Sequence, residues 1–265
     1  MLLLAGSLMT LVLNLSPAAT APDSQPATPE AVGFLCKTLT FAGQTYAYCV
    51  YVPPDYTPEK AWPIILFLHG SGERGDDGLL QTDVGIGTAI RRNWKLVPAI
   101  VVMPQCRPQQ IWVGPMAQMA LKCVEAASRE YRCDPDRFYL TGLSLGGHGA
   151  WYLAAQLSDR LAAIVPIAGF AELEESTGAA ERLAPHLAKL PIWCAHGDQD
   201  KAVPVTKSRE MVAAIRKAGG HVIYKELEGQ GHNVWDATYG DPALWRWLFV
   251  QKRGVPASRP APESP

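Results

Sequence analysis

A serine set among glycines is the feature of this sequence that most directly indicates chemistry. Ser144 lies in the stretch GLSLG, directly after the apolar run RFYLTG and before a helical pattern. The pattern G-x-S-x-G between a strand and a helix is typical of a turn so sharp that the serine hydroxyl projects above the sheet. We therefore predict that Ser144 is a nucleophile. The alternative interpretation is a glycine-rich strand-to-helix loop of a nucleotide-binding fold.

A serine hydroxyl needs a neighbouring base before it can attack a carbonyl at neutral pH. Among the six histidines, His232 is the best candidate because it follows the last predicted strand within the glycine-flanked segment GQGHN. His69 and His196 each precede a glycine at a strand end, where we expect them to brace loops. The other three are His148 in the helix after the serine, His186 in a connecting segment and His221 at the opposite end of a strand.

An imidazole base needs an acid that fixes its tautomer and stabilises its cation. The segment HGDQDKAVPV offers Asp198 and Asp200 after another predicted strand, and the residues alone leave the choice between them open. The chain order of serine, acid and histidine is the order of α/β-hydrolases. Leu145 opens the helix after the serine, so we expect its N–H to point to the place where an oxyanion would form.

The elements around these residues alternate between strand and helix patterns. Apolar runs typical of buried parallel strands occupy 62–70, 99–104, 137–142, 162–169, 190–197 and 221–229, and helical apolar spacing occupies 116–131, 145–159, 205–219 and 242–252. Residues 34–53 indicate a hairpin about Ala42-Gly43. This order predicts an α/β fold: a mostly parallel sheet, helices on both faces and an antiparallel N-terminal hairpin at the sheet edge.

The bulk properties of the 265 residues fit one catalytic domain with short flanking segments. The net charge of −1 gives no indication of a nucleic-acid partner. Residues 1–21 are predicted to be a signal peptide, 22–30 a flexible linker, 31–252 the catalytic domain and 253–265 a disordered tail. We expect a secreted or periplasmic protein; the alternative is an uncleaved N-terminal anchor. The apolar run is too short for a stable membrane span.

Two motifs together resemble a known family. LHGSGERGDDG, residues 68–78, with GLSLGGHGAW, residues 142–151, is similar to serine esterases of the α/β-hydrolase superfamily. That group includes carboxylesterases, acyl-protein thioesterase-like enzymes and dienelactone hydrolase-like proteins, and the resemblance is strongest to secreted bacterial esterases often labelled predicted peptidases. It implies an α/β-hydrolase fold over nearly the whole folded unit.

The resemblance also assigns two residues that the sequence leaves open. In the family motif HGDxDxxVP the second aspartate is the acid, which implies Asp200 here, with Asp198 supporting the loop. The family takes an oxyanion-binding N–H from the residue after the first His-Gly, which implies Ser71. Dienelactone hydrolases proper use a cysteine nucleophile where this chain has Ser144, so their substrate is not carried over.

The expected activity is hydrolysis of carboxylic esters through an acyl-enzyme, without a metal or another cofactor. The substrate would be a small-molecule or polysaccharide-linked ester, and residues 170–189 are too few for a large lid. A serine peptidase with the same triad is the first alternative. A non-catalytic binding module on the same scaffold is the second.

The sequence also suggests roles for two tryptophans near the pocket and for two cysteines in a disulfide. Trp112 and Trp235 follow strand ends, where they would line the substrate pocket or cover the core. A two-residue hairpin loop would place Cys36 opposite Cys49 as a non-hydrogen-bonded pair, close enough for a disulfide. The alternative is two free thiols.

Overall fold

The apolar runs form one eight-stranded sheet in the computed structural model, which describes residues 31–171 and 178–255. The strands are β1 (Gly33–Phe41), β2 (Gln44–Val52), β3 (Trp62–Leu68), β4 (Ile100–Pro104), β5 (Cys133–Leu143), β6 (Ala163–Ile167), β7 (Ile192–Gly197) and β8 (Val222–Leu227). Every residue of β3, β4, β6 and β7 is buried, as expected for parallel strands covered on both faces. The predicted signal peptide and linker lie outside the described residues, as does most of the predicted tail.

The strand order is β1-β2-β4-β3-β5-β6-β7-β8. The hairpin strands β1 and β2 are antiparallel and lie at one edge, and β2 is also antiparallel to β4. From β4 onward all neighbouring strands are parallel, so their carboxyl ends lie along the same edge of the sheet. The predicted fold class is therefore confirmed.

Helices cover both faces of this sheet. Those in the described ranges are α1 (Ile86–Arg92), α2 (Gly114–Glu130), α3 (Leu145–Leu157), α4 (Ala179–Leu187), α5 (Thr206–Lys217), α6 (Trp235–Gly240) and α7 (Pro242–Val250). Helices α2, α3, α4 and α5 contribute to the hydrophobic core on one face, while α1, α6 and α7 contribute to the core on the other. The sequence pattern predicted α2, α3, α5 and α7. Of the other three, α1 and α6 have only 7 and 6 residues, too few for a clear apolar period, and α4 has a proline, Pro185, inside the helix.

The hairpin has the predicted two-residue loop. Ala42 and Gly43 both have positive φ angles, 49° and 76°, which is the backbone of a type I′ turn. This loop sets the register, and Cys36 lies opposite Cys49 as predicted. The two cysteines are present as thiols in the structure, Cys36 exposed and Cys49 buried, and burial raises the pKa of the Cys49 thiol to about 12. The disulfide between them stays a prediction.

Candidate active site

Three loops at the carboxyl edge of the sheet bring the candidate residues together. Ser144 directly follows β5, Asp200 lies shortly after β7, and His232 lies in the loop after β8. Strands β5 to β8 are consecutive neighbours in the sheet, so loops that leave their carboxyl ends converge. The site therefore lies where a ligand is expected in an open α/β sheet.

The turn at Ser144 is as sharp as the glycine pattern predicted. Its backbone has φ 52° and ψ −117°, a conformation that L-residues adopt only under strain. The turn is held because the Ser144 N–H donates to Ile167 O at 2.9 Å and Ser144 O accepts from the His148 N–H at 3.0 Å. A Cβ on Gly142 would lie 2.2 Å from Gly146 O. A side chain larger than that of glycine is therefore excluded at position 142.

Gly146 gives a direct test of this turn. An alanine Cβ there would lie 1.9 Å from Leu68 O, and backbone atoms cannot yield as a flexible side chain can. We expect Gly146→Ala to lower the free energy of unfolding by about 3 kcal/mol or more, measured by urea denaturation. Gly240→Ala is the matched control, because a Cβ there meets no atom within 4 Å. Equal stability of the two variants would contradict the tight-turn interpretation.

A continuous chain of hydrogen bonds joins the three candidate side chains. His232 Nε2 lies 2.9 Å from Ser144 Oγ, and His232 Nδ1 lies 2.6 Å from Asp200 Oδ2. A carboxylate only accepts hydrogen bonds, so His232 carries its proton on Nδ1 and presents Nε2 as the acceptor for the serine hydroxyl. This arrangement can take a proton from a nucleophilic hydroxyl.

Asp200 is buried, and both of its carboxylate oxygens have hydrogen-bond partners. Its Oδ1 accepts the N–H groups of Ala202 at 2.8 Å and Val203 at 2.9 Å, while Oδ2 faces His232. Burial acts to raise the pKa of Asp200, but the hydrogen bonds from His232, Val203 and Ala202 outweigh it, so the pKa is lowered. The carboxyl group is therefore ionised at neutral pH.

Asp198, the competing acid, points elsewhere. Its N–H donates to Leu227 O at 3.2 Å, and its Oδ1 is buried with no hydrogen-bond partner among the described residues. Among the described residues, no hydrogen bond or ion pair joins its side chain to His232. The structure thus places Asp200, and not Asp198, beside the base.

Trp235 packs against the base. The rings of His232 and Trp235 meet edge to face, with centroids 5.2 Å apart and an interplanar angle of 88°. The His232 side chain is 26% exposed, and Trp235 is partly buried. Trp235 therefore restricts the imidazole orientation on one side.

The backbone around Ser71 is oriented by His69. The Cys106 N–H donates to His69 Nε2 at 2.9 Å, so the proton of this neutral ring is on Nδ1, which donates to Gly70 O at 2.6 Å. Burial lowers the pKa of His69 to about 4, which keeps the ring neutral. In a planar trans peptide the carbonyl and the next N–H point in opposite directions. The Ser71 N–H therefore points away from the His69 ring.

Gly70 brings this loop against the serine turn. A Cβ built on Gly70 would lie 3.7 Å from Ser144 Cβ, so the backbone before Ser71 passes beside the serine. On the other side, Leu145 is the first residue of α3, and its N–H has no acceptor within the helix. The two N–H groups predicted to bind an oxyanion thus belong to segments that flank Ser144.

Gln105 anchors the Ser71 loop, and the sequence analysis missed it. Its buried side chain accepts the Gly78 N–H at 2.7 Å and donates to Glu73 O at 3.1 Å and to Asp77 Oδ1 at 3.2 Å. A single glutamine after a strand carries no pattern that distinguishes it from a solvated surface residue. Its position directly after β4, at the carboxyl edge of the sheet, is the one sequence feature that could have indicated a role near the site.

Trp112 does not line an accessible pocket. Its side chain is completely buried, its Nε1 donates to His69 O at 2.9 Å, and its ring packs edge-on against His69. The space for it exists because α3 has Gly149 at the contact, where a Cβ would lie 2.4 Å from Trp112 Cβ. The prediction of a pocket role for Trp112 is therefore corrected: its buried side chain packs against His69 and supports the loop that follows β3.

The described residues also line a half-open cavity of about 1140 Å³ away from this site. It lies at the amino ends of β7 and β8, and its walls include Ile192, Val222, Arg216 and Trp247. Ser144, Asp200 and His232 do not line it. The size of a cavity therefore does not locate the chemistry here, whereas the hydrogen-bonded side chains do.

Comparison with known proteins agrees with the fold. A family model described as phospholipase/carboxylesterase matches residues 113–241, a stretch that contains Ser144, Asp200 and His232. The chain is 24% identical over 228 residues to an uncharacterized secreted protein of Arthroderma benhamiae, a match that covers 74% of this chain. The chain spans only 24% of that relative's length.

Solved structures give the same fold. A thermostable esterase is 31% identical with a TM-score of 0.73, and the match covers 83% of this chain and 63% of that one. A mutant of the feruloyl esterase module from Clostridium thermocellum, complexed with sinapinate, is 22% identical with a TM-score of 0.65, covering 85% of this chain and 91% of that one. The chain therefore has an α/β-hydrolase fold and is similar to esterases that share it.

Proposed function

We propose that this protein hydrolyses carboxylic esters with Ser144 as nucleophile, His232 as base and Asp200 as the acid that orients the base. The observation that carries the proposal is the unbroken hydrogen-bond chain from Ser144 Oγ through His232 to Asp200 Oδ2. Similarity to the phospholipase/carboxylesterase family and to a thermostable esterase supports ester substrates.

Acylation would begin when His232 Nε2 takes the proton from Ser144 Oγ and the oxygen attacks the ester carbonyl. The carbonyl oxygen becomes negatively charged, and the N–H groups of Ser71 and Leu145 would stabilise it. The tetrahedral intermediate then expels the alcohol, which receives the proton from His232. The product of this half-reaction is an ester between the acyl group and Ser144.

Deacylation would repeat these steps with water. His232 removes a proton from a water molecule, the hydroxide attacks the acyl-enzyme, and Ser144 leaves with the proton that His232 returns. Asp200 stays ionised throughout, since its lowered pKa keeps it a carboxylate, and it stabilises the imidazolium in both halves. Ser144, His232 and Asp200 would thus complete the reaction with the ester and water as the two reactants.

The substrate class follows from the surroundings of Ser144. The segment between β6 and β7 contains α4 and is short, so we propose an open site without a large lid. Trp235 beside the base supplies an aromatic surface for the acyl or alcohol group. Small-molecule esters and esters attached to polysaccharides both fit an open site, and the feruloyl esterase neighbour makes feruloyl esters a rational test compound.

The experiment is a labelling reaction combined with a substrate panel. A fluorophosphonate probe should attach to Ser144, identified by peptide mapping, and p-nitrophenyl acetate or methyl ferulate should be hydrolysed. Peptide p-nitroanilides serve as the comparison, and we expect slower turnover of these amides. Failure to label Ser144 would indicate a binding module, and faster cleavage of the anilides would indicate a peptidase.

We further propose that the protein is exported, because residues 1–21 have the composition of a signal peptide and a matched relative is named as secreted. None of the helices in the described ranges has the length and apolar content that a membrane span requires. Mass spectrometry of the mature protein checks the proposal, which predicts an N-terminus at or near Pro22. Recovery of the protein with residues 1–21 intact would contradict cleavage.

A further inference from the structure

A second histidine contacts the same carboxylate oxygen as the proposed base. His196, the fifth residue of β7, is completely buried, and its Nε2 lies 3.1 Å from Asp200 Oδ2. His232 Nδ1 lies 2.6 Å from that oxygen on the exposed side. Asp200 Oδ2 is therefore placed between two imidazole rings, and the reaction scheme above uses only one of them.

The hydrogen-bond partners of His196 determine its tautomer. Nε2 lies 2.9 Å from the carbonyl oxygen of Val203, which can only accept, so Nε2 carries a proton. That proton is donated to Val203 O, and Asp200 Oδ2 lies beside the same N–H group, 3.1 Å from Nε2. Nδ1 lies 2.6 Å from the hydroxyl of Ser208, a buried residue on α5 that can donate to it. Burial lowers the pKa of His196, which is consistent with a neutral ring.

We propose that His196 is a positioning residue of the proton relay: its Nε2–H group lies beside Asp200 Oδ2 and thereby sets how strongly Asp200 retains a proton on His232. The effect on turnover rests on the proposed ester hydrolysis, whereas the effect on His232 protonation does not. Without the Nε2–H, the negative charge on Oδ2 has one N–H dipole fewer beside it. Asp200 then stabilises the imidazolium more strongly, and His232 becomes protonated at higher pH.

The other charged groups around His196 are already engaged. Glu226 on β8 lies opposite His196 in the sheet register, and its carboxylate accepts two hydrogen bonds from Arg209 on α5 and one from Tyr224. His196 therefore has a charged neighbour on β8 and another, Asp200, on the loop after β7. Of these two, Asp200 contacts His232 directly, which makes it the path to the base.

Two substitutions of His196 distinguish the contribution of Nε2 from that of Nδ1. The amide of glutamine reaches the position of Nε2, so His196→Gln keeps a donor to Asp200. The amide of asparagine reaches the position of Nδ1, so His196→Asn keeps an acceptor for Ser208 and loses the donor. We expect the acidic limb of the kcat/KM profile for p-nitrophenyl acetate to move up by about half a pH unit in His196→Asn and to stay in place in His196→Gln.

Ser208→Ala is the matched control. It removes the hydroxyl at Nδ1 and leaves Nε2–H and Asp200 untouched, so we expect lower thermal stability with an unchanged acidic limb. An acidic limb that stays in place in a folded His196→Asn protein would overturn the proposal and leave His196 a purely structural residue. Equal displacement in the asparagine and glutamine variants would overturn it too.

A measurement on the unsubstituted protein covers the case in which His196→Asn does not fold. Proton NMR of the ring N–H groups follows His232 and His196 during a pH titration and needs no substrate. We expect the His196 Nε2–H resonance to change with the same midpoint as His232. A His196 resonance that ignores the protonation of His232 would reject the coupling, and ester hydrolysis without that coupling would leave the proposed function intact.

Discussion

Ser144→Ala should reduce ester turnover by a factor of about 10⁴ or more while the protein remains folded. The substitution removes the oxygen that His232 Nε2 contacts at 2.9 Å, so no acyl-enzyme can form. Stability should change little, because alanine keeps the Cβ that serine already places at φ 52°. The measurements are kcat for p-nitrophenyl acetate and thermal unfolding of both proteins.

Ser158→Ala supplies the control, since Ser158 lies at the other end of α3 and far along the helix from the turn. We expect that variant to hydrolyse the ester as the unsubstituted protein does. Turnover by Ser144→Ala within tenfold of the parent would show that another group attacks the ester and would remove Ser144 from the proposed mechanism.

The second large effect is expected for Asp200→Asn, a fall in kcat of about 10⁴-fold. The asparagine oxygen can still accept the N–H groups of Ala202 and Val203, so the loop should persist. Its NH₂ group would face His232 Nδ1, and two donors cannot share that contact. His232 would adopt the tautomer with the proton on Nε2, which cannot accept the proton of Ser144.

Asp198→Asn is the paired variant. It lies two residues away, carries the same change in charge, and has no hydrogen bond or ion pair with His232 among the described residues, so we expect its kcat to stay within a fewfold of the parent. Its effect should be on the free energy of unfolding, because Asp198 Oδ1 is buried without a partner. If Asp198→Asn lost more activity than Asp200→Asn, with both folded, the acid would be misassigned.

The parallel strands were predictable from the sequence because burial on both faces leaves each as a continuous apolar run. The serine turn was predictable because steric exclusion leaves glycine as the residue that fits at 142 and 146. The choice between Asp198 and Asp200 was not determined by residue type, since both lie in one loop. It depends on whether backbone N–H groups turn toward the carboxylate, as those of Ala202 and Val203 do.

Packing between distant segments decides the position of Trp112. The sequence allowed Trp112 either to line the pocket or to cover the core, and the absence of a side chain at Gly149 allows it to lie completely under the loop. The register that places Cys36 opposite Cys49 was predictable, because a two-residue loop sets it locally. The contacts of Trp112 join segments distant in sequence, so no local pattern predicts them.

The left-handed backbone at Ser144 also limits which nucleophile this scaffold can exchange for serine. A residue at φ 52° must avoid branching at Cβ, because a second substituent there crowds the backbone in this region. Threonine is thereby excluded although its hydroxyl is chemically similar, while cysteine, with one substituent on Cβ, fits the same backbone. A substitution series at this position should therefore tolerate a change of element from oxygen to sulfur more readily than the addition of one methyl group.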